Sequence, residues 1–523
     1  MTRKSENPTL QHYKSPAIHF IGIGGCGMNG VAQLAAHSGY SVSGSDRATG
    51  LDIFQCLKKQ GIVIVPQDGS GITEETDFVV FSTAIESDNP DILKAKTLNI
   101  PLLHRAKMLA KLCEGKEVIA VAGTAGKSTV TGLLGYIFQC LEKDPTVYCG
   151  AAINNFGSSV RFGSKDGPWI IEADESDKSF LNFHPNHAII TNIAEDHFEL
   201  SELKKLFTQF ESQVSETVIK PDPPRRSGTP PSRGFISSPY SPPPEGWPKA
   251  GVGSLLIGEH NTENINNALT LCKALDLNMN KCIETVIKPD PPRRSGTPPR
   301  RGFISSPYSP PPEGWPKAGV GSLLIGEHNT ENINNALTLC KALDLNMNKC
   351  IEAVASFKGI ERRLERIGDK VIDDFAHSPI KIAAALDAVS GVFETFNAVW
   401  RPHGFTPLFQ GLEGFIEVFS THWRKAEPPP TKFPNHWKPK GGRLFILPVY
   451  YAGGTVDKKV TAEQFVEKLR AAGVPAEFVE GFQCLEKRLL DDGLPVLVMG
   501  ARDPELPIFS RRIANQLCTP SPH

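Results

Sequence analysis

Several features are scarce in this sequence, and each scarcity removes a class of function. No stretch approaches the ~18–20 uninterrupted apolar residues of a membrane-spanning helix, so no membrane partner is expected. The opening MTRKSENPTLQHYKSP is polar and lacks the apolar core of a signal peptide. Charge of either sign is not in excess: 56 basic and 57 acidic residues leave a net charge of −1. A chain so balanced has no global pull toward nucleic acid, and any phosphate must be held by a local site. The 11 cysteines contain no CxxC pair, and Cys272, Cys282, Cys340 and Cys350 are two cysteines counted twice through a duplication. The expectation is reduced, mostly buried thiols in a cytoplasm, with no zinc site. Nothing in the sequence specifies a protein partner.

What is present is enough for several cores. The chain has 523 residues, 40% hydrophobic and 22% charged, which corresponds to about three domains of ordinary size. The first hundred residues alternate strand and helix. Residues 17–23 form an apolar run ending in glycines, 31–38 have helical spacing, and 40–43, 62–65 and 78–82 read as further strands. Such alternation predicts a parallel sheet. A second unit opens with a strand at 118–122, a glycine turn and a helix at 129–141, continued by strands at 169–172 and 187–192. After residue 369 the alternation returns, with strands at 371–372, 445–449 and 496–499 and helices near 380–389 and 462–472. Residues 423–440, basic and proline-rich, read as an inserted loop.

Between these units the pattern breaks. Residues 217–284 recur as 285–352 at an offset of 68, and the copies differ only at Ser232 and Arg300. Solenoid repeats diverge in sequence while keeping a hydrophobic frame, so near-identity points to a recent tandem duplication or an assembly error. The first half of each copy is crowded with proline, ten of them from Pro221 to Pro248. It lacks donors and a packed face and is expected to be extended and disordered. The second half, GEHNTENINNALTLCKALDLNMNKCIE, has a helical pattern.

Four motifs carry chemistry. Gly22, Gly24, Gly25 and Gly27 follow a strand and open a helix, and Asp46 ends the next strand. This is the layout of a dinucleotide fold, in which glycines admit a pyrophosphate and the acid meets a ribose; it suits NAD as well as a UDP-sugar. Gly123-Thr124-Ala125-Gly126-Lys127-Ser128-Thr129 is a shortened P-loop, with Val121 where the strict pattern has glycine. Its amides can cradle phosphates, Lys127 can reach the β- and γ-oxygens, and Ser128 or Thr129 can meet Mg²⁺. Two acidic clusters, Glu172-Ala-Asp174-Glu175-Ser-Asp177 and Glu195-Asp196-His197, then fall at strand ends, where ligands gather in open parallel sheets.

In order, GIGGCGMNG, SGSD, FSTAI, HRAKML, GTAGKST, EADESDKSF, TNIAEDH, GEHNTEN, GIERRLE and DDFAHSP resemble the muramyl ligase family, its UDP-N-acetylmuramate–L-alanine branch above all. The last three also resemble the branch that adds a tripeptide in cell-wall recycling. The resemblance implies a three-domain α/β architecture: a Rossmann-like UDP-sugar domain at 15–113, a P-loop ATP domain at 114–367 interrupted by the duplicated segment 217–319, and a Rossmann-like amino-acid domain at 368–523. It implies ATP and Mg²⁺ as cofactors, and UDP-N-acetylmuramate and an amino acid as substrates. It places Gly22, Gly24, Gly25, Gly27, Asp46, Ser82 and Thr83 on the sugar nucleotide and residues 123–129 on the phosphates. Asn329, Asn332, Arg363 and Asp374 would meet the nucleotide, and Ser128, Thr129, Glu172 and His197 the metal. Lys127, Glu172, His197 and His377 would be catalytic, His377 beside the incoming amine. His260, Asn261 and Asn264 repeat His328, Asn329 and Asn332; the second copy is favoured because it runs directly into AVASFKGIERRLE.

Two departures from the family pattern stand out. Only residues 198–216 separate the His197 motif from proline-rich sequence, which predicts a central sheet short of a strand. The alanine-adding branch has an H-R-Y-T-R segment, whereas this chain reads His403-Gly404-Phe405-Thr406-Pro407 and lacks both arginines. Two rival readings therefore stand beside the ligase: a descendant that binds nucleotide or UDP-sugar without turnover, and, from the first glycine motif alone, an NAD-dependent oxidoreductase.

Overall fold

The computed structural model describes residues 15–48, 50–175, 177–193, 199–220, 324–403, 412–423, 442–450, 461–501 and 503–517. The proline-rich parts of the duplication, its first GEHN motif, the basic stretch after Trp423, and His197 lie outside these residues. The chain divides into two compact units, Met1–Lys220 and Pro221–His523.

The first unit carries two sheets. The N-terminal one has five parallel strands: β1 (Ala17–Ile21), β2 (Ser41–Asp46), β3 (Val63–Pro66), β4 (Phe78–Phe81) and β5 (Leu102–His104), in the order β3-β2-β1-β4-β5. Its helices are α1 (Cys26–His37), α2 (Ile53–Lys59), α3 (Pro90–Thr97) and α4 (Arg105–Leu112). Strand β1 is buried along Ile18–Ile21 and apolar there but for His19, as suits a strand covered on both faces. The chain turns one way from β1 to β2 and the other way from β1 to β4. This switch opens a crevice at the carboxyl ends of β1 and β4. Helix α1 starts at Cys26, directly out of the glycine loop, five residues earlier than spacing alone predicts.

The second sheet has β6 (Val118–Ala122), β7 (Thr146–Ile153), β8 (Ser158–Arg161), β9 (Trp169–Glu172), β10 (His187–Ile190) and β11 (Thr217–Ile219), in the order β11-β10-β6-β9-β7-β8. Helix α5 (Lys127–Cys140) follows β6, and α6 (Leu200–Ser212) precedes β11. The apolar face of α6 buries Leu203, Phe207 and Phe210, and both phenylalanines meet the Phe180 ring at 5.1 Å. The strand thought missing after residue 216 is β11, which pairs parallel with β10 through Thr217, Val218 and Ile219. Those are the opening residues of the duplicated segment, so the repeat itself supplies the sheet's edge.

Among the described residues, the second unit opens with α7 (Glu327–Ala342) and α8 (Met347–Ser356). Its sheet comprises β12 (Glu365–Ile367), β13 (Val371–Asp374), β14 (Asn397–Arg401), β15 (Leu444–Ile446), β16 (Ala476–Phe478) and β17 (Val496–Gly500). The order is β12-β13-β17-β14-β15-β16, parallel except for β12 against β13. Helices α9 (Pro379–Ser390), α10 (Leu412–Trp423), α11 (Ala462–Ala471), α12 (Phe482–Asp492) and α13 (Glu505–Leu517) complete it. Trp400 anchors the core, stacked on Phe415 at 5.0 Å. Helix α11 opens with a capping box between Thr461 and Gln464. Among the described residues no helix is long and apolar enough to cross a membrane.

Candidate active site

Strands β6, β9 and β10 are neighbours in the second sheet, and the segments leaving their carboxyl ends form one cluster. The P-loop leaves β6 and puts Lys127 and Ser128 into the first turn of α5. Gly123 has φ +130° and Gly126 φ +84°, conformations that side chains resist. A Cβ on Gly123 would also stand 2.1 Å from Thr191 Oγ1. Beyond β10, Asn192 Oδ1 accepts from Thr124 Oγ1 and from the Ala125 amide, both at 2.8 Å. The loop is thus fixed in shape before any ligand arrives, which spares ordering entropy on binding.

Lys127 reaches back over its own loop. Its Nζ donates to Gly123 O at 2.7 Å and to Glu175 Oε2 at 2.6 Å, with Asp174 Oδ1 at 3.9 Å. Burial works against its charge, but Glu175, Asp174 and Glu172 outweigh it and hold the ammonium above its ordinary range. Glu175 is 2% exposed and its pKa is raised, chiefly by burial, with Lys127 pulling the other way. Of the EADESD cluster, Glu175 is therefore the lysine's partner in this state. Glu172 serves the other side: its Oε1 accepts from Ser128 Oγ at 3.1 Å and its Oε2 from the Gly150 amide at 2.7 Å.

A hard dication takes oxygen donors, and a carboxylate facing a P-loop hydroxyl fits that chemistry. Ser128 and Glu172 are the described residues that would hold Mg²⁺; Thr129 is buried one position further on. His197 falls outside the described residues. Among those described, no group of three or more His, Cys, Asp or Glu could hold a metal by itself, so substrate phosphates or water would complete the shell.

In the N-terminal sheet the glycine loop and the segment after β4 share the crevice. A Cβ on Gly22, which has φ +71°, would lie 3.2 Å from Ile85 Cδ1. Ser82 and Thr83 follow β4 directly, and Ser82 O accepts from the Ile85 amide. Gly25 donates to Gly22 O to close the turn. Asp46 Oδ2 accepts from the Gly24 amide at 2.8 Å and Oδ1 from Ala48 at 2.9 Å, so this acid braces the loop. Gly27 is covered by Arg105 and Tyr148, whose atoms lie 2.9 Å and 3.3 Å from where its Cβ would be.

The second unit carries the remaining sequence candidates. Asn329 and Asn332 meet on α7, Nδ2 of the latter donating to Oδ1 of the former at 3.0 Å. At the carboxyl end of β13, Asp374 Oδ2 accepts from the Leu364 amide at 2.7 Å. Arg363 lies 5.0 Å from the Phe375 ring centre, and His377 Nδ1 donates to Phe375 O at 2.8 Å. That bond leaves His377 Nε2 as an acceptor, and burial, with Lys381 next, pushes its pKa down to about 3. A neutral imidazole of this kind can accept a hydrogen bond at Nε2. His403 stacks obliquely on it at 5.3 Å.

Burial pushes Asp374 up to about 6, with Arg363 opposing. An acid whose folded pKa is raised stabilises the fold most where it is protonated in both states. Its contribution is complete below the ordinary 3.8 and is lost as pH rises through about 6. Asp374→Asn is therefore expected to stabilise the protein by about 1–2 kcal/mol at pH 8 and hardly at all at pH 4. Thermal melts at the two pH values check it; equal shifts at both would refute the charge as cause.

Residues 17–117 match the Mur ligase family, catalytic domain. The chain is 31% identical over 509 residues to a curated relative, spanning 92% of this chain and 95% of that one. It belongs to the Mur ligase family. That relative is the UDP-N-acetylmuramate–L-alanine ligase of Burkholderia multivorans. The Burkholderia thailandensis ligase of the same name is 33% identical over 478 residues, 87% of this chain and 88% of that one. Among solved structures, the UDP-N-acetylmuramate–alanine ligase of Thermotoga maritima superposes with TM-score 0.63 at 22% identity, covering 96% and 98% of the two chains. The murein peptide ligase of Psychrobacter arcticus does so at 0.56 and 16%, covering 97% and 100%. At those identities the superpositions establish the shared fold. The family sets the oxidoreductase reading aside.

Sequence reasoning missed four residues that the geometry brings into play. Arg105 lay within a quoted motif without a role. Tyr148 sits on β7, a strand that the spacing did not reveal. Glu175 was one acid among several, and Arg362 was overshadowed by Arg363.

Proposed function

We propose that this protein is an ATP-dependent ligase that joins L-alanine to UDP-N-acetylmuramate in peptidoglycan synthesis. The observation that carries the reading is the cluster of Lys127, Ser128, Glu172 and Glu175 on a preshaped P-loop. The near full-length likeness to curated ligases supports it. The proposed site residues are those of the sequence expectation, with the UDP-sugar at residues 15–113, ATP at the P-loop, and the amine handled by the C-terminal domain.

In this reading Lys127 releases Glu175 and turns to the γ-phosphate as ATP binds. The muramyl carboxylate attacks that phosphorus in line, ADP leaves, and an acyl phosphate forms. The amine then attacks the acyl carbon, phosphate departs, and the amide remains. Lys127 stabilises charge on the transferring group. His377, neutral and with Nε2 open, accepts a hydrogen bond from the amine and orients it, and the proton the amine loses passes to the departing phosphate or to solvent. Mg²⁺, held by Ser128 and Glu172, would supply charge neutralisation at the phosphates.

The test is ADP release by the purified protein with ATP, Mg²⁺ and UDP-N-acetylmuramate, adding L-alanine, other amino acids or the tripeptide in turn. Release that requires both the sugar nucleotide and L-alanine is the expected result. Dependence on the tripeptide instead would reassign the acceptor, and release indifferent to the sugar nucleotide would overturn the reading.

A further inference from the structure

Arg105 opens α4 and extends its guanidinium across to β7. Its Nη1 donates to the Tyr148 hydroxyl at 2.6 Å, and that hydroxyl donates to Gly27 O at 2.9 Å, in the first turn of α1. A Cβ on Gly27 would stand 2.9 Å from Arg105 Nη1 and 3.3 Å from the Tyr148 hydroxyl, so a side chain there would displace the guanidinium. Tyr148 is 2% exposed, and burial pushes its pKa up to about 12, so it stays a neutral hydroxyl.

A guanidinium carries five N–H donors and a permanent charge. Among the described residues one donor is used, on a neutral oxygen. No carboxylate of the described residues stands within ion-pair distance of Arg105. Tyr148 first, then Asp174 and Asp177 from further off, favour its charge against the cost of burial. Asp174 is also the acid 3.9 Å from Lys127. Arg105 therefore lies between the glycine loop and the lysine–carboxylate cluster, with most of its hydrogen-bonding capacity unspent among the described residues.

The reacting carboxylate of the sugar nucleotide has to travel that path. It approaches Glu172, Asp174 and Glu175, a field that repels it, while Lys127 is already paired. We propose that Arg105, oriented by Tyr148, binds the substrate's carboxylate and holds it toward the P-loop. This rests on the ligase reading above. The pyrophosphate has the amides of the glycine loop, and Lys127 is committed to Glu175 or, on release, to the γ-phosphate, which leaves Arg105 for the carboxylate. A planar fork matches a carboxylate with two parallel bonds.

The experiment compares two ligands by calorimetry on the full chain: UDP-N-acetylmuramate, and UDP-N-acetylglucosamine, which lacks the carboxylate. The wild-type protein is expected to prefer the first. In Arg105→Gln that preference falls about tenfold while affinity for the second stays within about twofold. Tyr148→Phe, which keeps the buried ring, shifts the preference the same way by less, and Arg105→Lys restores part of it. Equal weakening of both ligands, as a pyrophosphate or merely structural role predicts, overturns the proposal, as does an unchanged preference. A wild-type protein without any preference overturns the ligase reading and this inference together.

Discussion

Replacing Lys127 with alanine lowers kcat for ADP release by about 10³-fold, the usual consequence of removing a charge aimed at a transition state. A second effect accompanies it. Glu175, 2% exposed, loses its counter-ion 2.6 Å away. An uncompensated buried charge costs about 3 kcal/mol, so the variant is also less stable at neutral pH. The sign of the pH dependence follows from Glu175, whose pKa burial already raises above 4.5. Without Lys127 it rises further. The penalty is smallest below 4.5, where the acid is protonated folded and unfolded, and grows as pH climbs through the raised value. Urea melts at several pH values read this directly. Lys127→Ala/Glu175→Gln should regain the stability and none of the activity. A single variant that keeps full turnover would end the phosphate role, and a double variant no steadier than the single would end the ion-pair account.

Arg362 and Arg363 are adjacent in sequence and are expected to fail in opposite ways. Arg362 adopts φ +55° and points inward, where Nε donates to Asp373 Oδ1 at 3.1 Å and Nη2 to Gly500 O at 2.6 Å. Asp373 is fully buried. Arg362→Ala strands that carboxylate and the Gly500 carbonyl, at about 3–5 kcal/mol. Against a total of about 5–15 kcal/mol this is enough to unfold a marginal unit at 37 °C. Arg363→Ala should melt within about 1 kcal/mol of wild type, since it gives up an aromatic contact and a charge attraction to Asp374 but no hydrogen-bonded ion pair. On its proposed role at the nucleotide, its KM for ATP should rise about tenfold. Circular dichroism and ATP-dependence curves separate the two. If the losses were reversed, the roles assigned along this loop would be wrong.

These residues also mark how far the sequence could be read. Strands β6 and β9 were legible to the residue, because a buried parallel strand is an unbroken apolar run between turn signals. The P-loop was legible because glycine, lysine and hydroxyl spacing is dictated by phosphate geometry. Helices α1 and α5 were placed late, since their first turns belong to glycine loops and carry no apolar periodicity. Strands β7 and β8 went unseen because their ladder is interrupted by a register shift between Tyr148 and Ile153, and alternation fails there. The partnership of Lys127 with Glu175, and of Arg105 with Tyr148, spans 48 and 43 residues of chain. Only the closed sheets bring such pairs together, and no local pattern encodes them.

The position of β11 makes copy number a matter of indifference to the sheet. Thr217-Val218-Ile219 and Thr285-Val286-Ile287 are the same three residues at the heads of the two repeats. Excising 68 residues, so that Glu216 ran straight into Thr285, would present β10 with an unchanged partner in an unchanged register. An edge strand has one neighbour to satisfy, and whichever copy arrives first can do it. Gain or loss of a whole repeat at this junction is thus neutral to the ladder, whereas a cut within residues 217–219 would break it.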